Sequence, residues 1–297
     1  MMPSTTSGNK LEARVTWSFS AIGTQWQIDT PTTLSDTDKK EILAYCESFD
    51  LFFSRFRKDS AVWQLGQKAG SITIPQEWLP LVQFYTALAE CTKGQFTACV
   101  GTSLAAAGYD EQYSLQPKEV PAVPSWNDIV SLDGAILTVA QPVLLDFGAA
   151  GKGFLVDCLV QKLLKREVKT GTIDASGDIY TWGEYKELVG LENPLDTQKV
   201  VGVVPLQNRA LCASATNRRA WAGGWHHIVN PARNKSVDDV RATWVTADSA
   251  MHADGIATAL FVCEPEVLKQ LVDFNYIRMH SNGLLDYSDN FKRYLHI

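Results

Sequence analysis

The chain has 297 residues, 45% of them apolar and 20% charged, with a net charge of −6. That length holds one large domain or two ordinary ones, and either buries enough apolar surface to fold without disulfides or a structural metal. The acidic balance and the absence of any Lys/Arg run argue against a nucleic-acid or anionic-membrane surface. No stretch reaches the roughly 20 apolar residues of a membrane span, so no membrane insertion is expected.

Residues 1–11 are small and polar and read as a flexible lead, with neither the basic start nor the apolar core of a signal peptide. Residues 12–297 read as a single domain. Val15 to Ile28 alternates as a strand pair broken at Gly23. From Ser35, with Asp38 completing an imperfect capping box, Ile42, Cys46, Phe49 and Phe53 recur at helical spacing, and the pattern predicts a helix as far as Arg57. A shorter helix is expected from Asp59-Ser60, and a longer one over Trp78 to Lys93, stopped by Gly94. Residues 114–125, with three prolines, read as a surface loop. The apolar runs 128–139 and 143–147 read as strands, and Lys152 to Lys165 as an amphipathic helix opened by Gly148, Gly151 and Gly153. Thr170 to Asp178 reads as a strand with a Ser-Gly-Asp turn, followed by short runs to 245, helices at 248–262 and 264–272, and a strand near 275–280. Unequal helices among such strands predict an α+β fold with a mixed or mostly antiparallel sheet core flanked by helices. The six cysteines are scattered without a C-x-x-C pair, as in reduced thiols of a cytoplasmic protein.

Three segments carry groups suited to chemistry. Asp254 and Thr258 stand four apart in a helical run, which puts one carboxylate and one hydroxyl on the same face. Two hard oxygens suit Mg²⁺, which keeps waters and takes further ligands from phosphates; a capping aspartate and a core threonine would give the same spacing. Residues 145–153 break from an apolar run into a glycine-rich helix start with Lys152, a place for a phosphate or for tight helix packing. His226 and His227 enter a turn, where a neutral histidine is able to serve as a general base or simply to fill the interior. On a strand only one of the two faces a given site.

These segments, in this order, resemble the ApbE family of flavin transferases, which move FMN from FAD onto a protein. Ile22-Gly23-Thr24 is similar to the family's Met-Gly-Thr, and residues 53–60 (FSRFRKDS) to its Phe-Ser-x-Tyr-Arg-x-Asp-Ser block. Gly94-Gln95-Phe96-Thr97 and Gly108-Tyr109-Asp110 resemble its Gly-x-Phe-Asp-Pro-Thr and Gly-Tyr-Asp segments. LDFGAAGKGFLVD, the SGD turn at 176–178, HHIVNP and ADGIATALF resemble four further blocks. The resemblance implies Mg²⁺ held by the backbone oxygen of Ala149 and the side chains of Asp254 and Thr258. It implies FAD contacts at Ile22, Phe56, Gln95, Phe96, Thr97, Asp146, Lys152 and Ile228, with His227 and Asp254 as the catalytic pair. The implied reaction joins FMN by a phosphoester to a Ser or Thr in a motif of an acceptor protein and releases AMP; with no signal segment read in the chain, that acceptor is expected in the cytoplasm. An FAD pyrophosphatase and a non-catalytic FAD-binding protein need nearly the same residues. Thr97 and Asn230 stand where the family has aspartates, which predicts altered flavin contacts or a looser loop after His227. The chain carries no acceptor motif of the family kind, so self-modification is not expected.

Overall fold

The computed structural model describes residues 14–295, so the expected flexible lead at 1–11 lies outside the described residues. In chain order, strands β1 (Val15–Ala21) and β2 (Thr24–Thr30) precede helices α1 (Asp36–Phe53) and α2 (Ala61–Gln67), then β3 (Gly70–Thr73) and α3 (Leu79–Cys91). Next come α4 (Gly101–Ala106), α5 (Trp126–Ile129), β4 (Val130–Asp133), β5 (Ile136–Val139) and α6 (Gly148–Lys165). A run of strands follows: β6 (Gly171–Asp174), β7 (Asp178–Trp182), β8 (Glu187–Asn193), β9 (Asp196–Leu206), β10 (Arg209–Ala215), β11 (Ala220–Trp221), β12 (Trp225–His226), β13 (Val229–Asn230), β14 (Lys235–Ser236) and β15 (Val240–Ala247). Helices α7 (Ala250–Ala259) and α8 (Pro265–Leu268) and strands β16 (Asn275–His280) and β17 (Leu285–Tyr287) close the chain.

Eight strands form the main sheet in the order β1-β2-β6-β7-β10-β15-β16-β17. Its pairings are antiparallel throughout, so the α+β expectation holds and the allowance for a mixed sheet is not needed. The opening hairpin turns on Ile22 (φ +42°) and Gly23 (φ +75°), two positive values that match the twist of the paired strands. In β15, Val245 and Ala247 join a core shared with α1, α3, α6 and α7, while Ala242 and Trp244 join a second core with β9 residues Val204 and Leu206. The period of two thus builds three layers: helices, sheet, and the β8–β9 hairpin.

Several boundaries differ from the sequence reading. Helix α1 ends at Phe53 rather than Arg57, and the next begins after the Ser60 cap, whose hydroxyl accepts the Trp63 N–H at 3.0 Å. The run at 143–147 is no strand. Its donors go instead to Leu65 O, Thr102 Oγ1 and Ala98 O, because the chain there threads between helices. Helix α6 starts four residues early, with Gly148, Gly151 and Gly153 inside it. The two C-terminal helices are shorter than expected, at Ala250–Ala259 and Pro265–Leu268.

Candidate active site

The crossing of α6 and α7 is built on glycine. A Cβ on Gly153 would lie 2.1 Å from the Ala250 oxygen and 2.8 Å from the Asp254 Cβ, and one on Gly255 would meet Phe84 at 2.5 Å. With no side chain at these points, the Gly153 N–H reaches Asp254 Oδ2 at 2.9 Å. Asp157, one turn beyond Gly153 on α6, receives the Ser249 hydroxyl and the Ala250 and Met251 N–H groups at 2.8 to 2.9 Å. It therefore caps α7 and sets the rotation at which Asp254 and Thr258 are presented.

The α6 N-terminus is not an open anion cradle. The Gly148 N–H donates to Asp146 Oδ1 at 2.7 Å, and the Ala149 and Ala150 N–H groups donate to the Tyr85 hydroxyl at 3.0 and 3.2 Å. The glycine-rich start thus serves tight packing, and the positive charge at this end comes from side chains. Lys152 forms an ion pair with Asp178, whose carboxylate is fully buried. Asp178 reaches that position because Ser176 and Gly177 turn the chain with positive φ at the end of β6. Buried Arg55 donates from Nε to Asp146 Oδ2 at 2.6 Å and from one amine to Tyr109 O at 2.7 Å, and Arg219 donates to the Tyr109 hydroxyl at 2.6 Å.

These elements enclose a cavity of about 230 Å³, whose lining includes Phe56, Gln95, Phe96, Thr97, Asp146, Ala149, Lys152, His227, Ile228, Asp254 and Thr258. Ile22 lies apart from them, in an adjoining cavity of about 280 Å³ that shares Phe56, Asp146 and Lys152. Every other candidate residue from the sequence thus faces one space. Tyr85, Arg55, Arg219, Asp157, Asp178 and Ser214 were not among those candidates. Arg55, Asp178 and Asp157 stood inside the quoted motifs, whereas Tyr85 looks like one more apolar position on the α3 stripe and gives no signal of its own.

The electrostatics follow from burial. Asp254 is 5% exposed, and loss of solvent raises its carboxyl to about 6 against the opposing pull of Lys152 and the Gly153 N–H. Burial, with the charge of Arg219, lowers the His227 imidazole to about 3, so the ring is neutral at physiological pH; its Nδ1 has no partner among the described residues. His226 is fully engaged: Nε2 donates to Val237 O at 2.5 Å and Nδ1 accepts the Ile228 N–H at 3.3 Å. One histidine of the pair therefore faces the cavity, and since His227 lies in the bend between β12 and β13, that bend and not strand alternation separates the two rings. Asn230 Oδ1 accepts the Ala232 and Arg233 N–H groups at 3.0 and 3.2 Å, and Thr97 Oγ1 accepts the Cys99 N–H at 3.1 Å. Each of these two side-chain oxygens thus ties a local turn of its own loop.

For a divalent cation, the set is one carboxylate, one hydroxyl and one main-chain oxygen at Asp254, Thr258 and Ala149, with the Ser214 hydroxyl 3.2 Å from Thr258 Oγ1. No cluster of three His, Cys, Asp or Glu side chains occurs among the described residues. All-oxygen donors with a single charge fit Mg²⁺ that keeps waters and shares phosphate oxygens; they do not fit zinc or a calcium cage.

The comparisons with known proteins agree with this architecture. The chain is 27% identical over 254 residues to the FAD:protein FMN transferase of Treponema pallidum, covering 75% of this chain and 70% of that one. It is 23% identical over 273 residues to the enzyme of the same name from Haemophilus influenzae, covering 84% and 79%. Its fold superposes on the ApbE protein of Thermotoga maritima with a TM-score of 0.82 at 22% identity, over 96% of this chain and 100% of that one. The flavin transferase ApbE of Vibrio cholerae gives 0.78 at 20% identity, over 95% and 99%. Residues 22–279, which include the opening turn, α6, the histidine pair and α7, match the ApbE family, and the chain belongs to it.

Proposed function

We propose that this chain is an Mg²⁺-dependent FAD:protein FMN transferase, which attaches FMN to a Ser or Thr hydroxyl of an acceptor protein. The observation that carries the reading is the convergence of Ala149, Lys152, His227, Asp254 and Thr258 on one cavity. The names of its relatives support the same activity.

In this reading the adjoining cavities take FAD, with Phe56 between them and Ile22 at the far side. Mg²⁺, when held by Asp254, Thr258 and the Ala149 oxygen, would neutralise charge on the diphosphate. Lys152 adds a fixed positive charge, kept in place by Asp178. Neutral His227 takes the proton of the acceptor hydroxyl; the negative diphosphate offsets Arg219 and raises the ring toward the working range. The new bond joins the acceptor oxygen to the FMN phosphorus, and the bond from that phosphorus to the bridging oxygen breaks, so AMP leaves with the electron pair. The reading puts the acceptor in the cytoplasm, and six free thiols, which suit a reducing compartment, support it. Among the described residues no helix is long and apolar enough to cross a membrane.

The test is release of AMP from FAD with Mg²⁺, with and without a peptide bearing a family acceptor motif. Flavin fixed to the peptide together with AMP supports transfer. Free FMN and AMP without peptide would replace it by hydrolysis, and intact bound FAD in both tubes would replace it by binding alone.

A further inference from the structure

Tyr85 sits in the middle of α3, 1% exposed, with its ring against Phe147 (centroids 4.9 Å apart) and Phe96 (5.6 Å). This packing sends its hydroxyl to the start of α6, where it accepts both the Ala149 and the Ala150 N–H. A phenol oxygen has two lone pairs, and both are used, so the remaining capacity is its own proton. No acceptor for that proton lies within hydrogen-bond distance among the described residues, and Tyr85 lines the same cavity as Lys152 and Asp254. Two N–H groups at a helix N-terminus polarise the hydroxyl and strengthen its donation.

We propose that Tyr85 is a substrate-contacting donor, giving its phenolic proton to an anionic oxygen of a nucleotide diphosphate beside Lys152. The proposal rests on the FAD reading above. It completes the hydrogen bonding of a buried hydroxyl otherwise left with an unused donor, and it supplies a neutral contact that adds no charge to a site already holding Lys152, Arg55 and Arg219. The same hydroxyl holds the Ala149–Ala150 peptide, whose N–H and C=O point in opposite directions, and so also sets the direction of the Ala149 carbonyl.

Tyr85→Phe keeps the ring and removes the hydroxyl. FAD affinity, read by flavin fluorescence, should fall roughly 10- to 150-fold, the loss of one hydrogen bond to a charged group, and should do so both with Mg²⁺ and in EDTA. Unchanged affinity overturns the proposal. A loss seen only with Mg²⁺ also overturns it, since the hydroxyl would then act only through the Ala149 carbonyl. A crystal structure of the unaltered chain with FAD decides the matter without any variant: the Tyr85 oxygen should lie about 2.5–3.0 Å from a phosphate oxygen, and a separation beyond hydrogen-bond reach refutes it. Failure of the unaltered chain to bind FAD at all sinks the flavin reading instead, and is recognised by the absence of any wild-type signal.

Discussion

Asp254 holds a carboxylate in a place poor in solvent, with the Gly153 N–H as its hydrogen-bond donor among the described residues. A group retained at such a cost serves binding rather than stability. Asp254→Ala should abolish turnover and its dependence on Mg²⁺, while the metal-free protein melts at or above the wild-type temperature; near-normal turnover would count against the metal assignment. His227 has the opposite polarity. Because its folded-state value of about 3 lies below the ordinary 6.5, the unfolded chain binds the extra proton, and stability contributed by the neutral ring is lost as pH falls from 6.5 toward 3. His227→Asn should therefore flatten the acid limb of stability by up to about 1.4 kcal/mol per pH unit in that window, checked by urea unfolding at a series of pH values. The same variant should slow transfer by roughly 10²–10⁴ if the ring is the base, and a few-fold loss would make it a positioning residue.

At the scale of elements, the decisive contact is the crossing of α6 over α7. Gly153→Ala places a methyl 2.1 Å from the Ala250 oxygen, which cannot yield because Ala250 is held by Asp157. The helices must move apart, at a cost of about 1–3 kcal/mol, and the Gly153 N–H leaves Asp254. We expect a lower melting temperature together with weaker Mn²⁺ binding read by electron paramagnetic resonance; retention of both would show that the crossing tolerates separation. The helices themselves were legible because their signals are local. Ser35 accepts the Asp38 N–H at 3.1 Å, and Gly94, at φ +79°, ends the run after α3. The segment at 143–147 was not legible as it stands. An apolar run buried among helices looks like a buried strand, and only its partners tell the two apart.

Across the whole molecule, β15 separates two cores, so damage to one need not reach the other. Trp244, 3% exposed, faces the β8–β9 side. Trp244→Ala should cost about 3–5 kcal/mol and leave FAD affinity unchanged at temperatures where the variant is folded; a parallel loss of affinity, measured by flavin fluorescence, would show that the layers are coupled. The sequence by itself determined the fold class, most of the elements and, among the residues lining the main cavity, Lys152, His227, Asp254 and Thr258, while the resemblance to the ApbE family supplied Phe56, Gln95, Phe96, Thr97, Asp146, Ala149 and Ile228. Period, caps and turns act over a few residues, and short blocks of unusual composition keep their chemistry together along the chain. Only the tertiary structure decided that Ile22 stands in the adjoining cavity, that the α6 N–H groups are already taken, and that Tyr85 takes them. The bond from Ala149 to Tyr85 spans 64 positions, that from Gly153 to Asp254 spans 101, and Asp157 reaches Ala250 across 93. Such pairs leave no periodic trace in the chain, because their geometry is set by how whole helices pack and not by the residues beside them.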